Sequence, residues 1–188
     1  MKNTLAPFIR AFMTAALTLL MAGPALAALK AGDPAPDFSA RATLGGKEFD
    51  FSLADALKKG PVVLYFYPAA FTPGCTVEAH NFAEAMPEFR ALSATVIGVS
   101  RDKIETLDKF SVEECRSAFP VAADATGAIS SGYDAVMSSA LNLASRTSYV
   151  ITQDGKIAYA YHALDPAHHA EYALKAVKDL KTAQGVAP

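Results

Sequence analysis

The residue types best suited to chemistry lie in one short stretch, Pro68-Ala69-Ala70-Phe71-Thr72-Pro73-Gly74-Cys75-Thr76. Thr72 suits a helix N-cap and Pro73 the first helical position, which puts Cys75 in the first turn. The thiolate is the nucleophilic form of cysteine, and a free thiol is mostly protonated at neutral pH. A helix N-terminus presents unpaired N–H groups and partial positive charge, and both favour the thiolate. Gly74 has no side chain, so a substrate oxygen can approach the backbone amides closely. The Thr72 hydroxyl can accept from an amide or thiol and donate to a sulfur or a substrate oxygen, a role compatible with plain capping. The Pro68 ring can wall a pocket and exclude water without adding a donor. Pro, Gly and Thr make a loop-to-helix transition, so Cys75 is expected to be exposed and reactive. The competing reading is a small buried hydrophobe, as free cysteine often is.

The elements around this stretch read as an alternating α/β chain. Gly45-Gly46 marks a turn between two short strands, the second over residues 47–51. A short helix follows over residues 53–57. Residues 61–67 form a continuous apolar, β-rich run suited to a strand buried on both faces of a parallel sheet, and 94–99 is a second of the same kind. Between them Ala79, Phe82, Ala83 and Met86 recur at helical spacing, and Pro87 should kink that helix or begin a new one. A helix over 103–117 is expected to turn Ile104, Leu107, Ser111, Cys115 and Ala118 inward. A short strand over 120–123 and a loop over 127–133, with one helical turn, come next. Residues 147–152 and 157–162 read as a hairpin across Gln153-Asp154-Gly155. The last helix is expected to take Asp165 as N-cap and Pro166 as its first residue, burying Ala170, Ala173, Val177 and Leu180. A βαβ half followed by a ββα half predicts a thioredoxin-like α/β fold, a mixed central sheet flanked by helices on both faces. Reaction sites in such sheets lie beyond the carboxyl ends of strands, which is where Pro68 to Cys75 falls.

The pattern Pro68-x-x-x-Thr72-x-x-Cys75 resembles the active-site signature of peroxiredoxins. Tyr65-Phe66-Tyr67-Pro68, Phe71-Thr72-Pro73-Gly74-Cys75-Thr76 and Val96-Ile97-Gly98-Val99-Ser100 match the family around that signature. Together they are similar to the Q-type, or bacterioferritin comigratory, peroxiredoxins. Arg146-Thr147-Ser148-Tyr149-Val150-Ile151 and Asp154-Gly155-Lys156-Ile157 resemble the strand and hairpin that follow the family's active-site arginine. The resemblance therefore assigns that role to Arg146, where a guanidinium would stabilise the thiolate and orient the peroxide. It implies a thiol peroxidase that reduces hydrogen peroxide and organic hydroperoxides through a Cys75 sulfenic acid. Thr72, Arg146 and the Gly74 and Cys75 amides would stabilise charge on the breaking O–O bond. Neither a metal nor an organic cofactor is required.

The chain departs from the family where the sulfenic acid must be resolved. Many Q-type members carry a second cysteine five residues after the first, and His80 stands there instead. Cys115 is the remaining candidate, with three readings open: a resolving cysteine reached by local unwinding, a packed core residue, or half of a permanent staple. If it is inert, an external thiol must resolve Cys75. His80 reads as a surface or satisfied residue with a supporting role as the alternative, and His162, His168 and His169 read as surface residues.

Residues 1–27 read as a signal peptide. Lys2 and Arg10 give a positive start, 11–22 is apolar apart from Thr14 and Thr18, and Ala25-Leu26-Ala27 has the cleavage pattern. An uncleaved anchor is the alternative. Cleavage leaves a single domain over 28–188 in a periplasmic or secreted setting, with no membrane partner and an envelope thiol reductant, thioredoxin-like or other. It also leaves 15 Lys+Arg against 19 Asp+Glu, a net −4 without a basic block, which argues against nucleic acid. Two rival functions stay open. A thioredoxin-type disulfide oxidoreductase needs C-x-x-C, and position 72 is Thr. A copper-binding module would use Cys75, Cys115 and a His, without any closely spaced cysteine pair.

Overall fold

The computed structural model describes residues 29–183 and 185. The expected signal peptide lies outside the described residues.

The chain opens with the hairpin β1 (Ser39–Leu44) and β2 (Lys47–Ser52), then α1 (Leu53–Leu57), whose N-cap Ser52 accepts from the Asp55 amide at 3.2 Å. Next come β3 (Val62–Phe66), α2 (Pro73–Ala91), β4 (Thr95–Ser100), α3 (Ile104–Glu113) and β5 (Val121–Ala123). A short α4 (Ala128–Gly132) leads to the small hairpin β6 (Val136–Ser138) and β7 (Leu143–Ala144), which no sequence signal announced. The hairpin β8 (Thr147–Ile151) and β9 (Ile157–His162) and the helix α5 (His169–Ala183) complete the fold.

Seven strands form one sheet in the order β2-β1-β5-β4-β3-β8-β9. β3 pairs parallel with β4 and β4 with β5, while β1–β5, β3–β8 and β8–β9 are antiparallel. All five residues of β3 are buried because that strand sits centrally with both faces covered. Its side chains alternate between two cores. Val63, Tyr65 and Tyr67 join Phe82, Phe89, Phe110 and Val177 on one face, and Val62, Leu64 and Phe66 join Leu53, Ile97 and Tyr133 on the other. The longer helices α2, α3 and α5 therefore share one face, and α1 and α4 cover the other. This is the mixed, thioredoxin-like sandwich the sequence predicted.

Three expected boundaries need correction. α2 runs on through Pro87, which neither ends it nor begins a second helix. α3 stops at Glu113 rather than at Ser117, because Arg116 and Ser117 both adopt the left-handed backbone (φ 51° each) and the Ser117 amide turns back to donate to Ser111 O at 2.8 Å. Ser111, the one polar member of the inner stripe, accepts from the Gly45 amide at 2.8 Å and so ties α3 to the β1–β2 turn. α5 begins at His169, beyond Asp165 and Pro166. Asp165 instead accepts from the Ala167 amide at 3.0 Å, and the carbonyls of Ala163 and Leu164 are taken by side chains of the site.

Candidate active site

β3 delivers the chain to the site. The Tyr67 amide still donates to Val99 O at 3.1 Å, but Pro68 has no N–H to continue the ladder, and the chain leaves the sheet. The Ala70 amide then donates to Asp102 Oδ2 at 2.8 Å, a carboxylate that also receives Ser100 Oγ at 2.7 Å. Phe71 takes φ 62°, an uncommon conformation for a non-glycine residue, and its half-exposed ring meets Phe110 of α3 edge-on with centroids 5.3 Å apart. These contacts fix where α2 starts.

Thr72 has the extended backbone of an N-cap, and Pro73 opens the helix as expected. The Thr72 side chain caps nothing: its hydroxyl donates to Ala69 O at 3.0 Å, which leaves the oxygen lone pairs free to accept. The Thr76 amide donates to Thr72 O at 2.9 Å, whereas the Gly74 and Cys75 amides have no acceptor among the hydrogen bonds of the described residues. Two adjacent donors at a helix N-terminus are suited to an oxygen that gains negative charge.

Cys75 is buried, with 1% of its surface accessible, so the expected exposure of the thiol is corrected. Cys75 joins the core cluster with Tyr67, Ala79 and Phe82, and Arg146 lies beside it just before β8. Arg146 Nη2 donates to Cys75 Sγ at 3.5 Å, Nε donates to Leu164 O at 2.9 Å, and Nη1 donates to Glu78 Oε2. Gly74 is the residue that admits this arrangement. A Cβ there would stand 3.0 Å from Arg146 Nη2, tighter than ordinary packing. Gly74→Ala is therefore expected to displace the guanidinium and slow peroxide reduction on the order of tenfold, with the thermal midpoint nearly unchanged; stopped-flow rates for the two proteins check this.

Glu78 escaped the sequence reading, although the signal was there: positions 75, 78 and 82 follow steps of three and four along the buried side of α2. It is fully buried, and that burial pushes its carboxyl up to about 8 against the opposing pull of Arg146. His169 was read as a surface residue and is fully buried. It stands four residues before Ala173 and eight before Val177, on the inner face of α5. Its Nδ1 meets Ser148 Oγ at 2.8 Å and its Nε2 faces Ala163 O at 3.1 Å. His162 and His168 are exposed, as expected.

Desolvation lowers His169 from 6.5 to about 4. The unfolded chain then binds a proton that the folded one refuses, so stability is full above pH 6.5 and is lost as pH falls toward 4. The loss attributable to this ring is at most about 3 kcal/mol. Urea titrations of the wild type and His169→Asn should show the difference between them shrinking by that amount from pH 7 to pH 4, since asparagine does not titrate.

Cys115 lies two residues beyond α3, on the turn that precedes the left-handed pair, and is fully buried in the same core cluster as Cys75. Both cysteines are free. Burial, followed by the charge of Glu114, pushes the Cys115 thiol far above its ordinary value, so it is inert as placed. His80 does not join the site: its Nε2 pairs with Glu114 Oε2 at 2.9 Å, tying α2 to the Cys115 turn. Pro68 is half-buried at the start of the loop. Among the described residues no group of three or more His, Cys, Asp or Glu is placed to hold a metal ion.

The AhpC/TSA family profile matches residues 31–160. Peroxiredoxin Bcp of Escherichia coli K12 is 32% identical over 156 residues, which cover 80% of this chain and 97% of that protein. Among solved structures, peroxidoxin BcpB from Mycobacterium tuberculosis superposes with a TM-score of 0.73 at 32% identity, covering 81% of this chain and 98% of its own. Peroxiredoxin Q of Xanthomonas campestris gives a TM-score of 0.65 at 29% identity, covering 74% and 89%.

Proposed function

Because this chain belongs to the AhpC/TSA family and is a thiol-dependent peroxidase of the Q-type peroxiredoxins, we propose that Cys75 is the residue that attacks the peroxide. The single observation that carries the assignment is Arg146 Nη2 placed 3.5 Å from Cys75 Sγ in the first turn of α2. The Arg146 cation and the helix N-terminus both face the sulfur, where they meet negative charge carried in the reaction. A sulfur lone pair forms an S–O bond as the O–O bond breaks. The departing oxygen takes a proton from solvent and leaves as water or an alcohol. Sulfur is oxidised by two electrons, the peroxide is reduced by two, and Cys75 becomes a sulfenic acid. The Gly74 and Cys75 amides and Arg146 supply the donors that meet charge on the breaking bond, and the Thr72 oxygen can accept from the peroxide O–H. Pro68 walls the loop.

Peroxiredoxins draw on a peroxide and a thiol reductant. The substrates proposed here are hydrogen peroxide and organic hydroperoxides; the related X. campestris bacterioferritin comigratory protein is described for alkyl peroxide reduction. The composition of residues 1–27 supports an exported enzyme, periplasmic or secreted, drawing on a thioredoxin-like or other thiol reductant of the envelope. Among the described residues no helix is long and apolar enough to cross a membrane.

Cys115 is proposed as the resolving thiol. It shares a core cluster with Cys75 and sits on a turn rather than inside a helix, so release needs unwinding of a few residues instead of a whole element. Its sulfur would attack the Cys75 sulfenic sulfur and release water, leaving a disulfide for the reductant to cleave. Cys115→Ser should leave the first oxidation of Cys75 unchanged within about twofold while abolishing the intramolecular disulfide. Non-reducing peptide mapping after one equivalent of peroxide reads this, and a wild type showing free Cys115 throughout makes the enzyme one-cysteine.

A further inference from the structure

Among the buried titratable groups that the mechanism leaves unused, His169 stands nearest the site's ion pair. The His169 ring is fully enclosed, although it opens a helix whose first turn could have faced solvent. Ala163 O can only accept, so Nε2 carries the ring proton and Nδ1 is the acceptor in the neutral ring. Nδ1 lies 2.8 Å from Ser148 Oγ of β8 and 3.5 Å from Glu78 Oε1 of α2. The Tyr161 ring of β9 packs edge-on against the imidazole with centroids 4.7 Å apart and fixes its plane. One ring thus receives side chains from α2, β8 and β9 while standing on α5.

Glu78 is the reason this matters. Oε2 receives Arg146 Nη1, but Oε1 has no hydrogen-bond partner although the residue is fully buried. Buried polar atoms are almost always partnered, and His169 Nδ1 lies 3.5 Å from this one. Burial favours the protonated carboxyl, so Glu78 can donate from Oε1 to Nδ1, which the Ser148 hydroxyl also approaches, after a closer approach of about half an ångström. With that contact the carboxyl is held from both sides, and Arg146 is held by the carboxyl.

We propose that His169 is a positioning residue for the peroxide reaction: it anchors Glu78, which holds Arg146 over Cys75. This rests on the assignment of Cys75 and Arg146 above and extends their support by two residues, to the start of α5. Its effect is specific. Displacing a charge-stabilising group by about 1 Å can cost up to a hundredfold in rate. Alkylation of the same sulfur by iodoacetamide needs the same thiolate but breaks no O–O bond, so the ratio of the two rates cancels the thiolate fraction and reports the donors that meet the breaking bond.

The test is the ratio of the peroxide rate to the iodoacetamide rate at Cys75, measured on the full chain for His169→Gln, His169→Asn and Val177→Ala. Glutamine keeps a donor near Nε2 and has nothing at Nδ1. Asparagine keeps a polar atom near Nδ1. Val177→Ala loosens α5 packing without touching the network. The expected result is a ratio lowered about tenfold or more in H169Q, within about threefold of wild type in H169N, and unchanged in V177A. Equal ratios in all four proteins, or a fall in V177A matching H169Q, overturn this inference alone. A wild type whose Cys75 alkylates but ignores peroxide overturns the functional reading, and this inference with it.

Discussion

Cys75→Ser is expected to eliminate peroxide consumption, lowering the second-order rate by at least about three orders of magnitude. A serine hydroxyl stays protonated under conditions where a thiolate forms, and no position in this site removes its proton: Arg146 only donates, and Glu78 is already engaged with Arg146. The fold should survive. Serine is nearly isosteric with cysteine, and burying the hydroxyl beside the Arg146 donor costs about 1–2 kcal/mol at most. Circular dichroism and a urea titration separate the two effects, with activity gone and the unfolding midpoint moved only slightly. Residual turnover of more than a few per cent would shift the chemistry to another residue.

Arg146→Met is expected to cost on the order of a hundred- to a thousandfold in the peroxide rate, the usual price of removing one charge-stabilising donor. It should also cost stability. Arg146 is buried, and its three donor nitrogens serve Leu164 O, Glu78 and Cys75. Methionine leaves Leu164 O and the buried Glu78 carboxyl without their donor, which destabilises by about 1–3 kcal/mol. Arg146→Lys tests whether charge alone suffices. An ammonium cannot span the three acceptors that a planar guanidinium reaches, so lysine should recover part of the stability and little of the rate. Double substitution with Glu78→Gln should return stability toward wild type without restoring activity. The comparison separates the structural work of the pair from its chemical work.

Much of this was legible beforehand for identifiable reasons. The strand before the site is a run of six apolar residues, and periodicity reads such a run well. Thr72, Pro73 and Gly74 are punctuation residues whose backbone preferences are local, so the start of α2 followed from them. The failures share a cause, because each depends on what lies across the interior. Cys75 was expected to be exposed because its flanks are loop-like, and it packs instead into the core cluster, where Arg146, 71 positions away, reaches its sulfur. His169 was expected on the surface because adjacent histidines point apart. They do, and the one turned inward found partners on β8 and the chain before α5. The α3 boundary failed because two non-glycine residues adopt a left-handed conformation that no propensity favours, in a turn that brings Phe119 into the core. Asp165 and Pro166 carry the marks of a helix start, yet the helix waits until His169 because the preceding carbonyls serve Arg146 and His169. Arg146 gained its weight from the resemblance alone, since one arginine before a strand is ordinarily a solvated charge.

The most direct test of the central claim is the fate of the Cys75 sulfur after one equivalent of hydrogen peroxide. Intact-mass and peptide mass spectrometry of protein quenched within the first turnover should find one added oxygen atom on Cys75, or its successor, a Cys75–Cys115 disulfide. Oxygen on any other residue, with the Cys75 thiol still free, would contradict the account.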